Sequence, residues 1–428
     1  MTQPFRIAIA GLGTVGTGVI RMLRAHGGLI AARAGRSVEI VAVSARSRRK
    51  DRGADISALE WSDDPVALAR RPDIDCLIEV IGGEDGPAKA AVEAALERGI
   101  HVVTANKAML AHHGNALAEL AEARGAALRF EAAVAGGIPV VKALGEGLAA
   151  NAITRVMGVM NGTCNYILTE MERTGADYAR VLAEAQRLGY AEADPEADVG
   201  GFDAAHKLAL LASLAFGTRI DFDAIAIEGI AHITLPDIRQ AADMGYRIKL
   251  LGVARMNDDG LEQRMQPCLV PASSAIGQLD GVTNAAVIEG DFVGQITLEG
   301  PGAGAGPTAS AILGDVIDIA RGVNRPALGR AAARLAAAPR SSAGAPAAHY
   351  LRLALHDAPG TLARVATVLG SHGISIDTMR QYGHSGAAAP VVIVTHPAER
   401  GRLAAALAEI GALDVCLAPP VALRIEQV

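Results

Sequence analysis

Five carboxylates, Glu192, Asp194, Glu196, Asp198 and Asp203, fall within twelve positions of this 428-residue chain, and Lys207 follows the last of them by four. That spacing puts Asp203 and Lys207 on one helix face, where a solvated pair contributes only about 0.2–0.5 kcal/mol. The run Leu208–Phe216 that follows is apolar, however, and predicts a buried helix. A lysine in partly apolar surroundings can have its pKa lowered far enough to exchange protons. The stretch therefore reads as a proton donor or substrate-binding cluster, set against an ordinary helix ion pair. A metal cage of Asp and Glu is also conceivable, but the ligand spacing of an EF-hand is absent. A second lysine closes the run Thr104-Ala105-Asn106-Lys107 at the C-terminal end of a predicted strand, the edge where open α/β sheets bind ligands. Asn106 can cap a helix, which leaves Lys107 in a first turn whose dipole disfavours a cation. An unfavourable charge at a ligand edge suggests a function, the alternative being a lysine that simply reaches solvent.

Two glycine-rich turns add a cofactor to this chemistry. Gly11-Leu12-Gly13-Thr14-Val15-Gly16 follows an apolar strand-like run and opens a helical one, the context in which GxGxxG lets a pyrophosphate meet backbone amides. Cofactor choice is set at the end of the second strand, which reads Ser44-Ala45-Arg46-Ser47-Arg48-Arg49-Lys50. Basic residues without an acid favour the 2′-phosphate of NADP over NAD, although a solvated basic turn has the same composition. Gly300–Thr308 is a second glycine turn before a helix, open to close approach by cofactor or substrate, or a linker between domains.

The elements that must position these groups follow from pattern. Apolar runs at Phe5–Ala10, Val38–Ser44, Ile74–Ile81, Ile100–Thr104 and Ala127–Phe130 alternate with helical stretches, which predicts a Rossmann-like parallel sheet. From 140 to 302 a helix-rich acidic stretch precedes strand-like runs at Ile248–Arg255, Gln266–Val270, Ala285–Glu289 and Gly294–Leu298, an α+β domain for substrate binding and dimerisation. The expected nucleotide-binding domain is 1–139, with 303–330, including a helix at Ala309–Arg321, packing back on it. Ala331–Ala348, rich in Ala, Ser, Gly and Pro, reads as a linker. Residues 349–428 then give strand, helix, strand, strand, helix, strand, the ferredoxin-like βαββαβ order.

Composition removes several classes of function. A net charge of −6 offers no basic field for nucleic acid, and aromatics at 3% leave few stacking platforms. The longest stretch free of charged residues, 381–398, is broken by Gly, Ser, Pro and His, so no membrane span is expected. Four scattered cysteines fit reduced thiols, and with no signal-like N-terminus the expected location is the cytoplasm.

Taken together, GLGTVG at 11–16, TANK at 104–107, NGTCNYIL at 161–168 and YAEADPEADVGGFDAAHK at 190–207 resemble homoserine dehydrogenase, and the likeness runs to about residue 325. Asp357-Ala358-Pro359-Gly360-Thr361-Leu362 with Gly373-Ile374-Ser375-Ile376 resembles an ACT domain, an amino-acid-sensing module. The resemblance implies NADP-preferring interconversion of L-aspartate 4-semialdehyde and L-homoserine, in threonine, methionine and isoleucine biosynthesis. It implies Lys207 as proton donor, Lys107 beside nicotinamide and substrate, and Glu192, Asp198 and Asp203 around the substrate. The cofactor would touch Gly11, Gly13, Thr14, Val15, Gly16, Ser44, Arg46, Thr104, Lys107 and Gly302. A sodium or other monovalent-cation site is implied at Glu131 and the carbonyls of Val134, Gly136 and Ile138. L-Threonine is the implied effector at the ACT domain, in a homo-oligomer, dimer or tetramer. Two rivals were weighed. An aspartate-semialdehyde dehydrogenase would use Cys164 as nucleophile, yet the segment around it supplies neither His nor Lys. A non-catalytic amino-acid sensor would have no need of Lys107, Asp203 and Lys207 together.

Overall fold

Strands buried on both faces must be apolar throughout, and the first sheet is built from such runs. Five of the six residues of β1 (Phe5–Ala10) and all four of β4 (Cys76–Glu79) are buried. With β2 (Val38–Ser44), β3 (Glu60–Ser62), β5 (His101–Thr104) and β6 (Leu128–Arg129) they form a parallel sheet ordered β3-β2-β1-β4-β5-β6. The computed structural model that gives this arrangement describes residues 3–341, 344–381 and 388–428. Strand order reverses between β1 and β4, which opens a crevice at their carboxyl ends. The strands expected at Ile74–Ile81 and Ala127–Phe130 are shorter than the apolar runs, because pairing ends where the chain turns into that crevice. The three-residue edge strand β3 was not anticipated; it is too short for a periodicity to register.

The second sheet is mixed. β7 (Ile153–Val159), β8 (Ala226–Ile227), β9 (Tyr246–Asn257), β10 (Gly260–Pro271), β11 (Thr283–Gly290) and β12 (Gly294–Pro301) lie in it, with order β12-β11-β7-β9-β10 and β8 beside β10. Every expected strand here is present and extended. β7 was missed: Ile-Thr-Arg-Val-Met-Gly-Val carries Arg155 and Gly158, which obscure its apolar face. The helix expected at Ala309–Arg321 begins earlier, at Ala305, and runs to Ala320. Its Ile312, Leu313 and Val316 share a core with Val19, Ile20 and Leu23 of the helix Thr14–Ala34.

β13 (His349–His356), the helix Thr361–Ser371, β14 (Ile376–Gln381), β15 (Ala388–Thr395), the helix Arg400–Gly411 and β16 (Val421–Ile425) make the βαββαβ module, with strands ordered β16-β13-β15-β14. The module is not set apart from the rest. β16 pairs parallel with β10, Cys268 opposite Arg424 and Leu269 opposite Ile425, so one sheet runs through both. Beneath the seam, the buried Glu426 carboxylate meets Arg155 (3.0 Å), Arg424 (3.0 Å) and Arg264, which also binds Glu262 at 3.0 Å. The stretch 331–348 joins the parts as a linker would, but main-chain bonds anchor it. Leu261 N donates to Pro339 O at 2.8 Å and Arg219 N to Ala336 O at 3.0 Å, while Arg340 grips Asp221. Composition could not show this, since the main-chain anchors leave no mark on it and the partner of Arg340 lies more than a hundred residues away. Residues 382–387 of the charge-free stretch lie outside the described residues. Among those described, no helix is long and apolar enough to cross a membrane.

Candidate active site

A cleft of about 610 Å³ lies between the two sheets, lined by Val15 and Lys107 on one side and Asn161, Glu192, Asp198, Asp203 and Lys207 on the other. Its first wall is the glycine turn. Gly11 N donates to Ser44 O at 2.8 Å, and with φ 107° a Cβ there would come within 2.4 Å of Val80 O. Gly13 caps the helix that Thr14, Val15 and Gly16 begin, and the space beside its Cα is open. A backbone that must be bare and a helix N-terminus facing free space fit a pyrophosphate. Ser44 is buried and meets the turn through its carbonyl. Arg46, Arg48 and Arg49 are exposed on the turn beyond it and make no hydrogen bond or ion pair among the described residues. Arg52, which the sequence reading passed over, organises that turn. Its Nε donates to Leu12 O at 3.1 Å and Nη1 to Lys50 O at 2.7 Å, and its guanidinium lies over Trp61. It lies just past the basic run, across Asp51, so charge pattern could have found it.

Thr104 does not present its hydroxyl to the cleft. Oγ1 donates to Glu79 Oε2 at 2.6 Å and accepts from Asn106 N at 2.9 Å, which shapes the turn that delivers Ala105 and Lys107. Asn106 Oδ1 caps the helix Lys107–Ala123 by accepting from Met109 N at 3.1 Å.

Opposite stands a charged triangle. Asp203 Oδ2 accepts from Lys207 Nζ at 2.7 Å and its Oδ1 lies 3.0 Å from Lys107 Nζ; Lys207 also donates to Met160 O at 2.7 Å. Burial alone would raise the Asp203 carboxyl, but Lys207 and Lys107 outweigh it and hold it well below the usual carboxylate range. Burial likewise opposes the Lys107 ammonium, and Asp203 with Asp198 overcomes that and lifts it. Asp198 is pushed up by burial, against a hydrogen bond from Asn161. That asparagine was overlooked. Its Nδ2 bridges Asp198 (2.8 Å) and Asp203 (3.2 Å) while its Oδ1 caps the helix Gly162–Thr174. Its place at the head of NGTCN, a helix-cap position, was the available signal. Glu192 is exposed at the rim, its carboxylate without a partner among the described residues. Cys164 is buried, burial pushes its thiol well above the ordinary value, and Sγ donates to Asp198 O at 3.2 Å.

The expected cation ligands divide. Both carboxylate oxygens of Glu131 accept backbone N–H groups, from Val141 at 2.9 Å and Lys142 at 2.8 Å, which ties the carboxylate to the start of the next helix and leaves one acceptor site on each oxygen. Burial, with Asp315 adding repulsion, raises this carboxyl to about 7. Val134 lines the cleft, and Ile138 O already accepts from Val140 N at 2.8 Å. Gly136 packs so closely on Gly302 that a Cβ would meet Gly302 O at 2.4 Å. Among the described residues no cluster of His, Cys, Asp or Glu side chains could hold a metal ion.

Comparison with known proteins bears on this geometry. Residues 139–317 match the homoserine dehydrogenase family, 11–131 the homoserine dehydrogenase NAD-binding domain and 349–415 the ACT domain. A homoserine dehydrogenase of Pseudomonas aeruginosa is 43% identical over 99% of both chains. The crystal structure of a homoserine dehydrogenase from Thiobacillus denitrificans is 41% identical, covers 99% of both chains and superposes with a TM-score of 0.94. A hyperthermophilic archaeal homoserine dehydrogenase in complex with NADPH is 25% identical, with a TM-score of 0.66 over 76% of this chain and all of that one.

Proposed function

This chain belongs to the homoserine dehydrogenase family, NAD(P)-dependent oxidoreductases acting on the CH–OH group of homoserine, and from that premise we propose that Lys207 is its proton donor and NADP(H) its preferred cofactor. When bound, the dinucleotide supplies or accepts the hydride at the substrate carbonyl carbon. The chain's own residues do the rest. In the direction from L-aspartate 4-semialdehyde to L-homoserine, Lys207 gives a proton to the oxygen as it becomes an alkoxide, and Lys107 beside it stabilises the developing charge. Asp203 bridges both ammonium groups and keeps them aimed at one point; Asn161 holds Asp203 and Asp198 in register. Glu192, the unpaired carboxylate at the rim, takes the substrate ammonium. The observation that carries this reading is the Lys207–Asp203–Lys107 triangle, with both lysines lining the cleft.

NADP preference is supported by the run Ser44–Lys50 at the end of β2, which holds no acid, and by the NADPH complex of the archaeal relative. A monovalent cation would be held by Glu131 and the main-chain oxygens of Val134, Gly136 and Ile138. L-Threonine at the Pro359–Leu362 turn, a homo-oligomer built by pairing βαββαβ modules, and a cytoplasmic setting that keeps the four free thiols reduced complete the proposal. The thiol-dependent rival finds no support: the Cys164 thiol donates to a main-chain carbonyl rather than to a side-chain base, and burial with Asp198 and Asp203 nearby raises its pKa. The test is homoserine-dependent reduction of NADP, followed with and without thiol alkylation. No reduction would refute the activity, and loss on alkylation would revive the rival.

A further inference from the structure

One polar side chain in the cleft has no part in anything above. Asn284, on β11, is 3% exposed, and its Oδ1 has no hydrogen-bond partner among the described residues. Buried acceptors are rarely left unpaired, because the cost is a substantial fraction of a fold's stability. An orphan acceptor on a residue that lines a ligand cleft, sealed from solvent in the unliganded chain, marks a place where a ligand that displaces its cover brings a donor.

Its surroundings indicate which donor. A Cβ at Gly302 would lie 1.9 Å from Asn284 Nδ2, so the Gly300–Gly304 turn is moulded around this carboxamide. That turn leads into the helix Ala305–Ala320, whose Ala305 O would be 2.6 Å from a Cβ at Gly18 in the helix of the nucleotide-binding turn. Two residues before Asn284, Val282 O would be 2.9 Å from a Cβ at Gly162, the first residue of the helix that Asn161 caps. Asn284 thus stands where the cofactor wall meets the substrate wall. A ring that exchanges hydride with a substrate held near Lys207 must occupy that junction. Phosphates carry no donor for Oδ1, and the substrate ammonium already has carboxylates to meet it. The nicotinamide carboxamide offers a neutral N–H donor and a carbonyl acceptor, the complement of an asparagine side chain.

We propose that Asn284 binds the carboxamide of the nicotinamide ring, Oδ1 accepting its amide N–H, and so fixes the ring's rotation and the face turned to the substrate. This rests on the reading of the cleft as the dinucleotide site. The test is equilibrium binding, by calorimetry, of NADPH and of its 3-acetylpyridine analogue, in which an acetyl group replaces the carboxamide and the N–H is lost. The unmodified enzyme should bind the analogue roughly 5- to 150-fold more weakly, the usual effect of leaving a buried acceptor unpaired. Asn284→Ala should bind the two within about twofold of each other, and Asn284→Asp, which keeps an acceptor, should retain the preference. If Asn284→Ala does not fold, Asn284→Leu gives the same comparison. An undiminished preference in the acceptor-free variant, or none in the unmodified enzyme, overturns the proposal. Failure of the unmodified enzyme to bind either dinucleotide would instead refute the cofactor site and this proposal with it.

Discussion

At the scale of single residues, the proposed roles separate groups that would act on the reacting atoms from groups that would hold the substrate's other end. Lys207, at the buried end of the triangle, should act on turnover. Lys207→Ala is expected to lower kcat by about 10²–10⁴-fold, the usual contribution of general acid–base catalysis, with cofactor affinity little changed. Near-normal turnover would return Asp203 and Lys207 to the role of a helix ion pair. Glu192 stands at the rim with no protein partner, so Glu192→Ala should raise KM for homoserine through loss of a charged hydrogen bond, about 10- to 150-fold for 1.5–3 kcal/mol. A KM that does not move would remove it from the substrate site. Types and spacing made these carboxylates and lysines legible in the sequence. Asn161 and Asn284 were not, because an uncharged amide gains meaning only from neighbours far away in the chain, Asp198 for one and Gly302 for the other.

Elements positioned by local pattern were anticipated well. β1 and β2 fall on the expected apolar runs; β1 is buried along nearly its whole length, while β2 is buried only over Ala42–Ser44 and kept its signal through Val and Ile despite the exposed Glu39. What the sequence concealed is contact between elements. The basic turn after β2 is one example: its composition was plain, but that Arg52 pins it to Leu12 O and leaves Arg46, Arg48 and Arg49 in solvent was not. If those three arginines face a 2′-phosphate, replacing them by Ala should reduce the ratio of kcat/KM for NADP to that for NAD, because only NADP carries the group that Arg grips in two places. An unchanged ratio would make the turn a solvated one. The seam between β10 and β16 is the second example. Burial would raise the Glu426 carboxyl, but Arg264, Arg424 and Arg155 outweigh it and hold it below the ordinary value. A carboxyl depressed in the folded state contributes stability that is complete above its unfolded pKa, about 4.3, and is lost as pH falls through the folded value. Glu426→Gln should therefore cost about 3–5 kcal/mol at neutral pH, as breaking a buried pair does, with the gap closing below about pH 4. Urea unfolding at several pH values measures it, and a gap that persists unchanged in acid would mean the charge is not what binds the seam.

For the whole molecule, the continuous sheet alters how regulation can be tested. Removing 349–428 would bare the Cys268–Leu269 stretch of the β10 edge and strip Glu426 from Arg155 and Arg264, so a truncated protein confuses loss of an effector site with damage to the catalytic sheet. A point change is the cleaner probe. Gly360 has φ 86° as the cap of the helix Thr361–Ser371, and Gly360→Ala strains the turn where a carboxylate would meet backbone amides. L-Threonine titrated against the intact enzyme should alter activity by about 5- to 150-fold at saturation, a typical coupling, and should do so less in Gly360→Ala. No response in the intact enzyme would leave the module only an assembly role.

The same seam imposes an order in time. β10 closes at Pro271, and the strand that covers the Cys268–Leu269 part of its edge, beginning at Val421, lies about 150 residues further along the chain, whereas β8, which covers Arg264 and Met265, is made before it. At ribosomal rates of about 5–20 residues per second, roughly 8–30 s separate their synthesis. Throughout that interval the nascent chain carries a short unpaired stretch of sheet edge at Cys268 and Leu269 whose proper partner has not been made, the kind of edge that recruits other strands. Pauses or slow codons between the two segments would prolong that exposure, so the yield of native enzyme in the cell should depend on translation speed there even when the protein sequence is unchanged.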